Sequence, residues 1–90
     1  MSTISDIIEK MRSRPDSVRF SDLHKVCAKY FGEPRNSGGS HVIFKMPWPG
    51  DPRINIQNKN GMAKSYQVKQ VLKAVDKYLE LEQEQDHADQ

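Results

Sequence analysis

The chain has 90 residues, 36% hydrophobic and 29% charged, which is typical of one globular domain and excludes a multidomain enzyme. Its apolar runs are two or three residues long, far short of the ~20 that a membrane-spanning helix needs. The net charge of +2 divides unequally, because residues 1–78 carry all 14 Lys and Arg with seven acids, whereas the last twelve residues carry five acids and no base. A body with a charge of +7 favours a polyanionic partner such as nucleic acid.

Two short helices are predicted in the first third of the chain. The first, at about residues 4–12, has apolar residues at i, i+3, i+4 and i+7, and it ends before Pro15. These apolar residues are Ile4, Ile7, Ile8 and Met11. The second begins near Ser21, a favourable N-cap residue, and ends at Gly32. Its core face is predicted to contain Leu23, Val26, Cys27, Tyr30 and Phe31.

The periodicity changes from helical to extended after a polar turn at residues 35–40. Residues 41–46 alternate as a strand, with Val42, Phe44 and Met46 on one face. Residues 53–57 alternate as a second strand with two isoleucines inward, and we expect the two strands to form an antiparallel hairpin across the proline-rich connection at 47–52. A further short strand is expected around residues 35–37.

A polar loop over residues 58–64 leads to a long helix from about Ser65 to at least Leu81. Six apolar residues fall on one side and are predicted to face the core. They are Val68, Val71, Leu72, Val75, Tyr78 and Leu79. The opposite side has a row of lysines together with Tyr66. The row consists of Lys69, Lys73 and Lys77.

The order of helix, helix, strands and helix predicts an α+β fold with the helices on one face of the sheet. Residues 1–81 are expected to form the single domain, and residues 82–90 an acidic, disordered tail. The N-terminal sequence lacks the features of a secretory signal, so the expected compartment is the cytoplasm. The single cysteine, Cys27, agrees with a reducing environment.

Three histidines are candidates for proton transfer near neutral pH. His24 borders the core face of the second helix and His87 lies in the tail, so both are expected to be structural or solvent-exposed. His41 directly follows Ser-Gly-Gly-Ser and starts a strand, on the face away from Val42. Glycines let a ligand come close to the backbone, and main-chain amides beside them can meet a phosphate. A single histidine at a strand start is nevertheless more often an exposed polar residue than a catalyst.

The sequence has no metal-ligand spacing, no nucleophile triad and no phosphate-binding P-loop. An enzyme with one histidine, basic residues and backbone donors is suited to cleaving RNA through the RNA's own 2′-hydroxyl group. The substrate then supplies the nucleophile, and the protein supplies an acid or base and cations for the charge that develops at phosphorus.

Several segments between about Val18 and Tyr78 resemble the HicA toxin family of bacterial type II toxin–antitoxin pairs. They are RNSGGSHVIFK, the hairpin rich in Pro, Gly and Asp, RINIQ and KSYQVKQVLK. The resemblance implies a fold like the double-stranded RNA-binding domain, α-β-β-β-α, to which the helix at residues 4–12 is an addition. Gly39, Ser40 and His41 stand where the family has a Gly-Ser-His or Gly-Gly-His signature.

The resemblance further implies that His41 is the catalytic histidine of an mRNA interferase that needs no cofactor. A HicB-type antitoxin is then the protein partner, which neutralises the toxin by covering it, and RNA is the substrate. No membrane partner and no homo-oligomer of the free toxin are expected. The other residues predicted to bind RNA are Arg35, Gly39, Ser40, Lys45, Lys59, Lys64, Lys69 and Lys73.

The residues outside the signature allow more than one interpretation. Trp48 is predicted either to contact a base or the partner, or to fold back over the sheet, and Tyr66 is a second possible contact residue. The lysines of the last helix bind phosphate only if they lie on the same side as His41. The added N-terminal helix is interpreted as extra core burial in preference to a docking surface.

Two other functions compete with the ribonuclease. The first is an RNA-binding module without chemistry, which has the same fold and charge and differs in not requiring His41. The second is a small adaptor that binds a protein through its helices and has no affinity for RNA.

Overall fold

A computed structural model describes residues 3–35, 41–46, 48 and 53–88. These residues form three α-helices and a three-stranded antiparallel sheet in the order α-α-β-β-β-α, which confirms the predicted α+β fold with an added N-terminal helix. The elements are α1 (Ile4–Ser13), a 3-10 turn (Pro15–Ser17), α2 (Phe20–Phe31), β1 (His41–Lys45), β2 (Arg53–Lys59), β3 (Met62–Ala63) and α3 (Ser65–Ala88).

Helix α1 contributes to the core, as predicted. Its N-terminus is closed by a capping box in which the Thr3 hydroxyl accepts a hydrogen bond from the Asp6 N–H at 3.1 Å and the Asp6 carboxylate accepts one from the Thr3 N–H at 3.3 Å. Ile7 and Met11 are buried among residues of the core. Helix α1 contacts both α2 and α3, so it extends the helical layer of the domain.

The start of α2 differs from the prediction. The helix begins at Phe20 with Arg19 as its N-cap residue, so the assignment of Ser21 as N-cap was wrong. The reason is a tertiary contact, because the Phe20 N–H donates to the Gly61 carbonyl at 3.0 Å and the start of the helix is thereby tied to the sheet. The predicted end is confirmed, since Gly32 terminates the helix with a φ of 84°.

Strands β1 and β2 form the predicted antiparallel hairpin. His41 lies opposite Gln57 at one end and Lys45 opposite Arg53 at the other. One face of this pair packs against the helices and supplies most of the strand residues of the core. Its buried residues are Val42, Phe44, Ile54 and Ile56. The alternate residues point to the opposite face of the sheet.

The third strand does not lie where it was expected. It is Met62–Ala63, within the segment predicted as a polar loop, and it pairs with the end of β2. A two-residue turn makes this possible, because Asn60 (φ 53°) and Gly61 (φ 86°) both adopt the left-handed conformation of a type I′ hairpin. A further short strand was expected at residues 35–37. Of these, Arg35 lies beside β1 and donates its N–H to the carbonyl of Ile43 at 2.8 Å. Residues 36 and 37 lie outside the described part.

The outer edges of the sheet are both bonded to segments that flank α2. On the β3 side, the Ala63 N–H donates to the Val18 carbonyl at 2.9 Å, next to a bridge between Arg19 and Met62. On the β1 side, the bonded residue is Arg35, which follows the end of α2. Helix α2 also contacts all three strands. It therefore spans the sheet from one edge to the other.

Helix α3 covers the sheet with the predicted apolar side. Val68, Val71 and Val75 are fully buried, but Leu79 is 37% exposed, so its assignment to the core was wrong. At 24 residues the helix is about 36 Å long and extends past a sheet whose longest strand has seven residues. It continues to Ala88 through most of the segment expected to be an acidic tail. Within the part of the chain that the structure describes, no helix has the length and apolar character to span a membrane.

Candidate nucleic-acid and catalytic site

His41 lies at the first position of β1, exposed, on the sheet face that the helices leave open. Its cross-strand neighbour is Gln57 of β2, which is half-buried. The side-chain amide of Gln57 is hydrogen-bonded to Nε2 of the imidazole ring. The histidine is therefore fixed by a specific contact with the neighbouring strand, although its side chain is accessible.

The contact continues into α3 through two residues of its first turn. The Tyr66 hydroxyl donates to Gln57 Oε1 at 3.4 Å, and Gln67 Nε2 donates to the same oxygen at 3.3 Å. Gln67 is only 3% exposed, and its own Oε1 accepts a hydrogen bond from the Gln57 main-chain N–H at 2.7 Å. Four side chains from two strands and one helix thus form a single hydrogen-bonded cluster, which we call the His41 cluster: His41, Gln57, Tyr66 and Gln67.

Two members of the His41 cluster were not predicted from the sequence. The alternation in β2 places Gln57 on the outward face, but only the strand register shows that it lies opposite His41. Gln67 has no pattern of its own. It is the one buried polar residue among the described residues. Because β3 is too short to pair with Gln57, the Gln57 main-chain N–H donates to the Gln67 side chain instead.

The open face of the sheet around His41 is basic. On β1 and β2 every charged residue of this face is a lysine or arginine. They are Lys45, Arg53 and Lys59. Lys45 and Arg53 lie directly opposite each other, and Lys59 lies two residues beyond Gln57. A surface of this kind attracts a polyanion.

A cleft of about 460 Å³ lies beside the end of β1 and brings together three of the predicted RNA or partner contacts. Arg35, Lys45 and Trp48 line it, together with three further residues of this end of the domain. Those are Phe31, Glu33 and Met46. His41 is not among the lining residues, and Lys45 is four residues along β1 from it, a distance of about 13 Å.

Trp48 folds back toward the helices. Its indole packs against the core, with the ring of Phe31 edge-on at 6.4 Å between centroids. The Lys77 ammonium lies 4.9 Å from the indole centroid, within the range of a cation–π interaction. One end of the lysine row on α3 is therefore bound to the Trp48 side chain.

Lys64, the residue before α3, adjoins the His41 cluster. The Lys64 ammonium lies 6.0 Å from the ring of Tyr66, which hydrogen-bonds to Gln57. Lys69 and Lys73 are exposed and follow Tyr66 on the same side of α3, about 4.5 and 10 Å further along the helix axis. Lys64 is thus beside the cluster, while Lys69 and Lys73 lead away from it. Gly39 and Ser40 lie outside the described residues.

The remaining candidates for chemistry have structural roles. His24 is half-buried with its ring 5.4 Å from Phe44 and 6.1 Å from Phe20, as expected for a structural histidine. Burial raises the pKa of the Cys27 thiol to about 12, so no thiolate forms at neutral pH. Among the described residues, no three His, Cys, Asp or Glu side chains lie close enough together to hold a metal ion.

Comparison of this chain with protein-family models, curated proteins and solved structures found no match.

Proposed function

We propose that the protein is an endoribonuclease that needs no metal ion, and that it acts as the toxin of a HicA–HicB type pair in the cytoplasm. The observation that supports this function best is the setting of His41. An accessible imidazole, fixed by Gln57, lies on a sheet face whose charged strand residues are all basic. The resemblance of the segment around His41 to HicA toxins points to the same residue.

The reaction that suits this site is transesterification of RNA. The 2′-oxygen attacks the adjacent phosphorus, the bond from phosphorus to the 5′-oxygen breaks, and the products are a 2′,3′-cyclic phosphate and a 5′-hydroxyl. One proton leaves the 2′-hydroxyl and one reaches the departing 5′-oxygen, so His41 takes part by accepting or by donating. Lys45 and Lys59 on the same face, and Arg35 beside β1, would offset the charge that develops on the phosphate.

The partners proposed with this function are RNA and an antitoxin of the HicB type. A neutralising protein has to block the accessible side of His41, which is the open face of the sheet. On β1 and β2 the charged residues of that face are all basic, so an antitoxin that binds it would present acidic groups. The free toxin is proposed to act without self-association.

The decisive experiment compares RNA cleavage by the parent protein and by His41→Ala, both with EDTA present. We expect the substitution to abolish cleavage and to leave the melting temperature nearly unchanged, because an exposed strand residue contributes little to stability. Asn55→Ala is the control, since it removes an exposed side chain from β2, the strand paired with β1. Cleavage by His41→Ala at the parent rate would overturn the proposal. Mass spectrometry of the products should show the 2′,3′-cyclic phosphate.

A second candidate function is RNA binding without cleavage. It is favoured by Lys69 and Lys73, which are exposed on α3 and extend away from His41, so they offer a phosphate-binding surface that does not involve the histidine. A pure binder would keep its affinity for RNA when His41 is replaced.

A further inference from the structure

The directions of the hydrogen bonds that link Gln67, Tyr66 and Gln57 to His41 can be traced from one main-chain group. The Gln57 N–H can only donate, and it donates to Gln67 Oε1 at 2.7 Å. This contact fixes which end of the buried Gln67 amide is the oxygen. The Gln67 Nε2 group must then donate, and its two acceptors are Gln57 Oε1 at 3.3 Å and the Tyr66 hydroxyl at 3.4 Å.

The orientation of the Gln57 amide follows from that of Gln67. Gln57 Oε1 accepts from both Gln67 Nε2 and the Tyr66 hydroxyl, so the carbonyl end of this amide faces α3. Its Nε2 group therefore faces His41. An amide nitrogen only donates, so Nε2 of His41 has to be the acceptor. In the neutral ring the proton is then on Nδ1.

We propose that Gln67 and Gln57 are positioning residues that hold His41 as its Nδ1–H tautomer. The Gln57 main-chain N–H fixes the orientation of the Gln67 amide, and the Gln67 amide fixes that of the Gln57 side-chain amide. The Gln57 amide in turn fixes the tautomer of the imidazole. Neither glutamine contacts the substrate in this scheme. A partner that orients a histidine through one ring nitrogen determines what the other nitrogen can do.

The consequence for chemistry rests on the proposed ribonuclease function. The lone pair of Nε2 is occupied by the Gln57 amide, and in this tautomer Nδ1 carries the single N–H of the neutral ring. Between the two roles open to His41, this tautomer favours donation of a hydrogen bond toward the phosphate or the departing 5′-oxygen. A neutral imidazole that acts as a donor is an established catalytic arrangement.

The experiment is a long-range proton–nitrogen NMR spectrum of the ¹⁵N-labelled protein without RNA, at a pH where the His41 ring is neutral. Replacement of His41 by Ala assigns its signals. We expect the Nδ1–H pattern in the parent protein. In Gln57→Glu a carboxylate faces Nε2 and can only accept, so we expect the tautomer to change to Nε2–H and the two ring nitrogens to exchange their chemical shifts.

Gln70→Glu is the matched control, because it makes the same chemical change at an exposed position of α3. We expect it to leave the His41 pattern as in the parent. An Nε2–H pattern in the parent protein overturns the proposal without any variant having to fold. An unchanged Nδ1–H pattern in a folded Gln57→Glu variant overturns it as well. Since no RNA is present, the result does not depend on whether the protein cleaves RNA.

Discussion

Arg12 of α1 forms an ion pair with Asp76 of α3 through two contacts. Nη2 lies 2.6 Å from Oδ1 and Nη1 lies 3.3 Å from Oδ2, a fork-like geometry in which each nitrogen meets one carboxylate oxygen. Both side chains are about half exposed, at 49% each. The pair is therefore a surface link between the added N-terminal helix and the longest helix of the domain.

We expect Arg12→Ala to lower the free energy of unfolding by about 0.5 kcal/mol at neutral pH, since solvent screens an ion pair that is half exposed. The hydrogen bond from Arg12 lowers the pKa of Asp76. The contribution of the ion pair to the free energy of unfolding is thus complete above about pH 4, and it is lost as the pH falls through the lowered pKa of Asp76. Urea denaturation at pH 7 and at about pH 2 measures this. Lys10→Ala on the same helix is the control. If Arg12→Ala were still less stable than the parent in acid, the loss of stability would not come from the ion pair with Asp76.

The hairpin turn between β2 and β3 depends on a glycine. Gly61 has a φ of 86°, and a Cβ atom built there meets no heavy atom within 4 Å, so the cost of Gly61→Ala is backbone strain alone. We expect a loss of about 1–2 kcal/mol, measured by thermal or chemical unfolding. Substitution of the preceding turn residue, Asn60→Gly, should change stability by no more than about 0.5 kcal/mol. Equal stability of Gly61→Ala and the parent would show that the turn differs from the described one.

Cys27 provides a probe of the core because it is the only cysteine in the chain. The thiol is fully buried and its pKa is raised to about 12, so we expect no alkylation of the native protein at pH 8. Labelling should become fast only when the protein unfolds, and its rate should follow the unfolded population as denaturant is added. Rapid labelling in the absence of denaturant would mean that α2 does not pack on the sheet as described.

The lysines of α3 test whether the exposed side of this helix binds RNA. For each phosphate contact that Lys69→Ala/Lys73→Ala removes, we expect the slope of log affinity against log salt to decrease by about 0.7 with single-stranded RNA. Lys25→Ala/Lys29→Ala is the matched control, a pair of exposed lysines with the same spacing on α2. A binding titration at several salt concentrations measures both. An equal effect of the two pairs would mean that overall charge, not the α3 surface, binds RNA.

The order of the elements could be predicted because most of them are long enough to show their period. The apolar rows of α1, α2 and α3 and the alternation in β1 and β2 each extend over several residues, and the core formed from those faces. A two-residue strand shows no period, so β3 was missed although Asn60-Gly61 is the dipeptide typical of a type I′ turn. The start of α2 was misplaced because a contact with Gly61, 41 residues away in sequence, determines it.

The candidate site was less predictable than the fold. The segment around His41 identified the histidine itself, but its partner Gln57 depends on the strand register and its orientation depends on the buried Gln67. Leu79 was assigned to the core because helical spacing alone does not show where the sheet ends. Gln67 is buried where β3 is too short to pair with Gln57. This is a tertiary property, which no local sequence pattern shows.

The attachment of both flanks of α2 to the sheet has a consequence for aggregation. An unpaired strand edge is a template for strands of other molecules, and here Val18 is bonded to the β3 edge and Arg35 to the β1 edge. Detachment of α2 would loosen both edges in the same event and uncover the apolar face of the sheet. Aggregation of the protein on heating therefore depends on how readily this one helix detaches from the sheet.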